Sequence, residues 1–244
     1  MGIINSILKK FDHKISKINK NEGLEYDEFV DIYNACRPYT MTSIERLYSL
    51  YKGVEYIIKN NIEGDFIECG VWRGGCTMAI AMTLNKFNIT NRKIFLFDTF
   101  EGMSEPTEND VDLQGSSAKE LKKTIEKTGK WCYAEIEDVK NNMAKTEYPS
   151  NMIEYIKGKV EDTLPSFEER KIALLRLDTD WYESTLIELQ KLYPMLVSKG
   201  VLIIDDYGHW AGSKKAVDEY IKEFNLPLLL NRVDYSGRLS IKTI

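Results

Sequence analysis

Residues 172–208 read IALLRLDTDWYESTLIELQKLYPMLVSKGVLIIDDYG, and the interpretation of this stretch decides the fold. Two apolar runs, 172–177 and 201–204, have the length of buried strands, and each leads into a pair of acids: Asp178 and Asp180, then Asp205 and Asp206. Residues 181–199 between them read as an amphipathic helix closed by Gly200 as its C-cap. A strand, a crossover helix and a second strand form a right-handed parallel unit, so both strands end on the same sheet edge. Four carboxylates therefore converge there. At neutral pH such a group is relieved by raised pKa values or by a hard cation. Oxygen-only donors suit Mg2+, Mn2+ or Ca2+ rather than zinc. The stretch thus predicts a divalent-metal site at the carboxyl edge of an α/β sheet, where such folds bind ligands.

Upstream, the same alternation of strand and helix recurs. Residues 64–72 supply a first strand that ends in the glycine-bearing turn ECGVWRGG (68–75), with a helix over 76–86 behind it. Glycines at such a turn let the backbone approach a ligand, and the helix start offers free N–H groups. The turn is not the dinucleotide fingerprint, which disfavours a nicotinamide-dependent dehydrogenase. Residues 93–97 form a second strand ending at Asp98, the usual position of an acceptor for a ribose diol. Together, turn and acid point to a nucleoside-containing ligand. The polar, aperiodic stretch 99–117 has the length of an active-site lid. Helices are expected over 118–127 and 135–145, strands over 152–157, 227–233 and 239–244, a short helix from Leu164, and a helix over 213–224.

At the other end, residues 3–18 place apolar side chains at helical spacing, as in a surface helix or a dimer arm, with His13 exposed. A short helix over 26–34 is broken at Arg37-Pro38, and Thr42 or Ser43 caps a long helix over 44–59. Residues 1–60 are expected to form N-terminal helices and a lid, and 61–244 the remainder of one structural unit. With 244 residues, 43% hydrophobic content and a net charge of -5, the chain has ample core and no general pull toward nucleic acid. No apolar run approaches the roughly 20 residues of a membrane helix. Cys36, Cys69, Cys76 and Cys132 lack metal-type spacing and nothing resembles a secretory signal, which points to a reducing, cytoplasmic setting.

Six segments, in order, resemble those of the class I S-adenosylmethionine-dependent methyltransferases, and within them the macrocin O-methyltransferase (TylF-like) group: RPYTMTS (37–43), ECGVWRGG (68–75), DTFEGM (98–103), EDTLP (161–165), RLDTDWYEST (176–185) and DDYG (205–208). The resemblance implies a seven-stranded, mostly parallel sheet with helices on both faces and a helical lid. It also implies roles for matched positions. Glu68, Cys69 and Gly70 would lie by the methionine part of S-adenosylmethionine, Asp98 would hold the ribose hydroxyls, and Thr99 and Phe100 would adjoin it. Glu161 and Asp162 would border the adenine, and Thr40 and Met41 would close over the pocket. Asp178, Asp205 and Asp206 match the metal-binding aspartates, and Asp180 the general base. The acceptor implied is a sugar hydroxyl, on a small molecule or a nucleotide-linked saccharide. Two departures bear on acceptor identity: Thr179 stands where glycine is usual, adding a side chain beside the metal, and His209-Trp210 occupies a variable segment facing the acceptor.

Two other classes compete. The Asp178-x-Asp180 spacing matches the D-x-D of metal-dependent sugar-nucleotide enzymes and of aspartate-nucleophile phosphatases, although the phosphatases carry it near the domain start. A domain of the same fold that binds the cofactor without catalysis is the non-enzymatic reading, and the full set of four acids argues against it. Trp181 and Tyr182 suggest an acceptor wall, with core packing expected for at least one. Cys69 and Cys76 read as packing residues, since no histidine partner is evident. Lys214 and Lys215 read as a solvated face.

Overall fold

In the computed structural model, residues 29–108 and 110–243 are described, so the amphipathic segment 3–18 and His13 lie outside them. Helix α1 (Val30–Cys36) gives way at Arg37-Pro38 to a single 3-10 turn, because proline at the second position cannot continue the α-helical hydrogen bonding. Helix α2 (Ile44–Lys59) begins where Ser43 Oγ accepts the Arg46 amide at 3.2 Å, a cap that contributes about 1 kcal/mol. Its face of Leu47, Leu50, Val54 and Ile57 is wholly buried, each side chain contributing about 1.5–3 kcal/mol.

The sheet follows in the expected alternation: β1 (Asp65–Cys69), α3 (Gly75–Lys86), β2 (Ile94–Asp98), α4 (Ala118–Ile125), α5 (Ile136–Ala144), β3 (Ile153–Lys157), α6 (Val160–Thr163), β4 (Ile172–Leu177), α7 (Tyr182–Leu192), β5 (Leu196–Ile204), α8 (Ala211–Glu223), β6 (Asn231–Arg232) and β7 (Arg238–Ile241). The order across the sheet is β3-β2-β1-β4-β5-β7-β6, parallel through β5 and antiparallel at β7 and β6. The strand order reverses between β1 and β4, and there the crossover helices diverge to opposite faces, leaving a crevice. Strand residues alternate between the two cores. Phe66, Leu174 and Val201 pack with α2 and α3, whereas Ile67, Leu175 and Leu202 pack with α7 and α8.

Two expectations are corrected. The crossover helix does not reach Lys199, and Gly200 caps no helix. Pro194 forces a 3-10 turn at Tyr193–Met195, and β5 starts at Leu196. Lys199 then takes a left-handed φ of 68°, and the register between β4 and β5 shifts, so Gly200 lies inside a bulged strand. The expected strand over 227–233 is reduced to Asn231–Arg232, which pair with β7, while Leu228 and Leu230 just before them pack against the core instead of joining the ladder. No described helix is long and apolar enough to cross a membrane.

Candidate active site

The four acids do converge. Beyond the strand ends the ladder continues, with the Asp178 amide donating to Cys69 O at 2.8 Å and the Asp205 amide to Leu177 O at 2.9 Å. This fixes Asp178 and Asp205 side by side, and one carboxylate oxygen from each of Asp178, Asp205 and Asp206 lies within 4.8 Å of the others. The donor set is entirely oxygen, and Asp206 Oδ2 is buried without a hydrogen-bond partner. Both features fit a hard divalent cation, which would satisfy the orphaned oxygen. Asp180 has a left-handed φ of 68°, strained for a residue with a side chain. Its carboxyl is hydrogen-bonded to Asp206 and receives the Trp210 indole N–H; burial, and then the Asp178 charge, push its pKa up to about 8. Burial also raises Asp178 and Asp206 well above the usual carboxylate range, reinforced by the neighbouring aspartates.

Two arginines supply a third form of relief. Arg176 on β4 is 2% exposed, and its guanidinium reaches Glu68 Oε1 and Asp178 Oδ2, both at 2.6 Å, as well as Asp205 Oδ1. Glu68 is its direct partner across the β1–β4 ladder, and its other oxygen takes the Thr77 hydroxyl. Arg46 on α2 holds Asp205 Oδ2 and also pairs with Asp234 at 3.0 Å. Both oxygens of Asp205 therefore face a guanidinium.

The cofactor side is built at the ends of β1 and β2. Gly70, at φ 80°, packs so tightly on the β4 end that an added Cβ would sit 1.9 Å from Asp178 O. Asp98 ties the two turns together: Oδ2 accepts the amides of Val71 (2.8 Å) and Trp72 (3.1 Å), and Oδ1 accepts that of Phe100 (2.7 Å). Gly75 opens α3 without a side chain, and a Cβ there would meet the Tyr39 carbonyl carbon at 2.6 Å. The absence of that atom lets the strap of Tyr39 to Thr42 lie directly on the helix start.

A cavity of about 670 Å³ brings together Thr40, Met41, Glu68, Gly70 and Asp98 with Asp178, Asp180, Asp205 and Asp206. A smaller recess of about 70 Å³ beside it adds Thr99 and Glu161. Cys69, Phe100 and Asp162 line neither: the first two are buried, and Asp162 is exposed. Thr179 donates its hydroxyl to Glu188 Oε1 on α7 at 2.9 Å, so it turns toward that helix rather than toward the aspartates. His209 lines the cavity, edge-on to Trp210 at 4.7 Å. Trp181 is buried in a cluster with Trp131 and Trp210, and the Tyr182 hydroxyl bonds Glu219, so neither is a wall of the cavity. Lys214 and Lys215 pair with Asp218 and Glu219 one turn on, a solvated face as expected. Burial raises the Cys69 and Cys76 thiols, the latter to about 12, which leaves them inert.

Sequence reasoning missed Arg176, Arg46 and the wall at 130–133. Arg176 had a signal: a lone arginine within an apolar strand run must find buried partners. Arg46 and Trp131 had none, since each is one polar or aromatic residue in a stretch of ordinary composition.

Comparison with known proteins gives the family and the reaction type. The model of the macrocin-O-methyltransferase (TylF) family matches residues 8–240. The chain is 30% identical over 232 residues to demethyldecarbamoylnovobiocin O-methyltransferase of Streptomyces niveus, covering 94% of this chain and 83% of that protein. It is 31% identical over 199 residues to 8-demethyl-8-(2,3-dimethoxy-alpha-L-rhamnosyl)-tetracenomycin-C 4'-O-methyltransferase of Streptomyces olivaceus, covering 82% and 74%. Among solved structures, the O-methyltransferase NovP superposes with a TM-score of 0.75 at 31% identity, over 84% of this chain and 83% of that one. Fold, site and sequence likeness thus agree on S-adenosylmethionine-dependent O-methylation, and the chain belongs to the macrocin-O-methyltransferase (TylF) family.

Proposed function

We propose that this O-methyltransferase depends on a divalent cation held by Asp178, Asp205 and Asp206, and that it methylates a hydroxyl of a saccharide-containing acceptor. One observation carries the reading: three carboxylate oxygens within 4.8 Å of one another open into the same cavity as Gly70 and Asp98. When bound, S-adenosylmethionine supplies a methyl group activated by sulfonium charge, and the cation supplies a Lewis acid that makes a hydroxyl of high pKa easier to deprotonate.

The chain's own residues do the rest. Gly70 admits the cofactor's methionine end against the backbone of β1, and Asp98, already fixed by three amides, keeps acceptor capacity for a ribose diol. The Thr40–Met41 strap covers that pocket, and Glu161 borders the recess beside it. Asp180 is the general base. It faces the cavity within hydrogen-bond reach of Asp206, and the Trp210 indole holds its carboxylate. Trp131, His209, Trp210 and Tyr235 give the same cavity an aromatic side suited to the apolar face of a sugar ring. The relatives' names, one of which includes a rhamnosyl group on its acceptor, support a saccharide-bearing molecule here.

Chelation tests the cation. Turnover of a saccharide acceptor should fall to background in EDTA and return with Mg2+, while S-adenosylmethionine binding, followed by calorimetry, persists throughout. Full turnover in the chelated enzyme would remove the metal from the reaction.

A further inference from the structure

We infer that Arg176 is a positioning residue: an internal cation that sets the spacing of Asp178 and Asp205 before any metal arrives. The inference rests on the cation reading above. Arg176 lies at the strand-order reversal, where β1 and β4 pair, and its side chain runs under the cavity floor rather than into it. One nitrogen, Nη1, binds Glu68 Oε1 and Asp178 Oδ2; the other, Nη2, binds Asp205 Oδ1 and donates to Thr42 Oγ1 at 3.1 Å. The planar fork therefore fixes one oxygen of each of two proposed ligands and leaves Asp178 Oδ1 free, while Glu68 and Thr77 lock the fork from behind. A lysine in its place keeps the charge but has no rigid pair of donors to hold two carboxylates at a set separation.

Two roles are physically distinct here. A residue that only offsets charge is replaceable by lysine, and it is dispensable when one acid is removed with it. A residue that sets geometry is neither. The variants R176K and E68Q/R176M separate the two, because each leaves the net charge of the cluster unchanged. The readout is Mn2+ affinity of the full chain without cofactor or acceptor, by electron paramagnetic resonance, alongside circular dichroism and thermal melting. Both variants should fold cooperatively and bind Mn2+ about 10- to 100-fold more weakly than the wild type, the usual effect of disturbing groups that orient metal ligands. Wild-type affinity in either variant would overturn the inference while leaving the cation reading intact. Failure of R176K to fold would make Arg176 a fold-holding residue and overturn it as well. A wild-type chain that binds no Mn2+ would overturn the cation reading and this inference with it.

Discussion

Asp180 combines a strained backbone, a raised pKa and a position at the cavity wall, and the three properties have one cause. The turn after β4 must bring Asp178 under the cavity while starting α7, and the left-handed φ at Asp180 turns its carboxyl back toward Asp206 and Trp210. D180N keeps the size of the side chain and removes the proposed base. Turnover should fall about 10²- to 10⁴-fold while S-adenosylmethionine affinity stays unchanged by calorimetry. An active D180N enzyme would take Asp180 out of that role. Glu188 makes a different case. It is fully buried, one oxygen takes the Thr179 hydroxyl and the other has no partner, and burial holds its carboxyl well above the usual range. A raised carboxyl pKa means the folded chain keeps a proton that the unfolded chain releases, so wild-type stability falls as pH rises above about 4.5. E188Q removes this penalty. Its melting temperature should exceed that of the wild type by a margin that widens between about pH 5 and pH 8. A constant margin would show that Glu188 is not the titrating group.

At the scale of elements, the stretch 99–117 reads from sequence as a lid, but its far end is fastened. The Leu113 amide donates to His209 O at 3.0 Å and the Ala211 amide to Val111 O at 2.9 Å, which ties the loop to the start of α8. Asp110, 1% exposed, accepts the Tyr182 amide at 3.1 Å and both the amide and hydroxyl of Thr107. It thereby caps α7, whose own N-cap residue Trp181 has no side-chain acceptor. D110A should cost about 1–3 kcal/mol in urea unfolding, since it leaves buried donors without partners, and should speed amide exchange around 110–118. No change in either would mean that the loop is held elsewhere. Strands β1 to β4 and the start of α2 were legible because burial and capping are local: Ser43, Asp98 and the apolar runs say what they do. The end of α7 and the extent of β5 were not, because a proline turn and a bulge reset both, and hydrophobic periodicity cannot distinguish a helix tail from a strand with one inserted residue.

Across the whole molecule, the aspartates were readable as a group because chain topology alone brings two adjacent parallel strands to one edge. Their neutralisation was not, since the compensating charge of Arg46 arrives from a helix more than a hundred residues earlier in the chain and Asp234 anchors it from the final hairpin. The Ser43–Asp234 hydrogen bond, 2.8 Å long, joins residues 191 positions apart. The consequence concerns biosynthesis. A nascent chain that has emerged through β5 already carries the glycine turn and the aspartates, but its site is still open on one flank. The acidic cluster is closed on that flank only once Asp234 has followed, so a chain truncated before Asp234 retains most of the sheet but has lost the anchor that steadies Arg46 over Asp205.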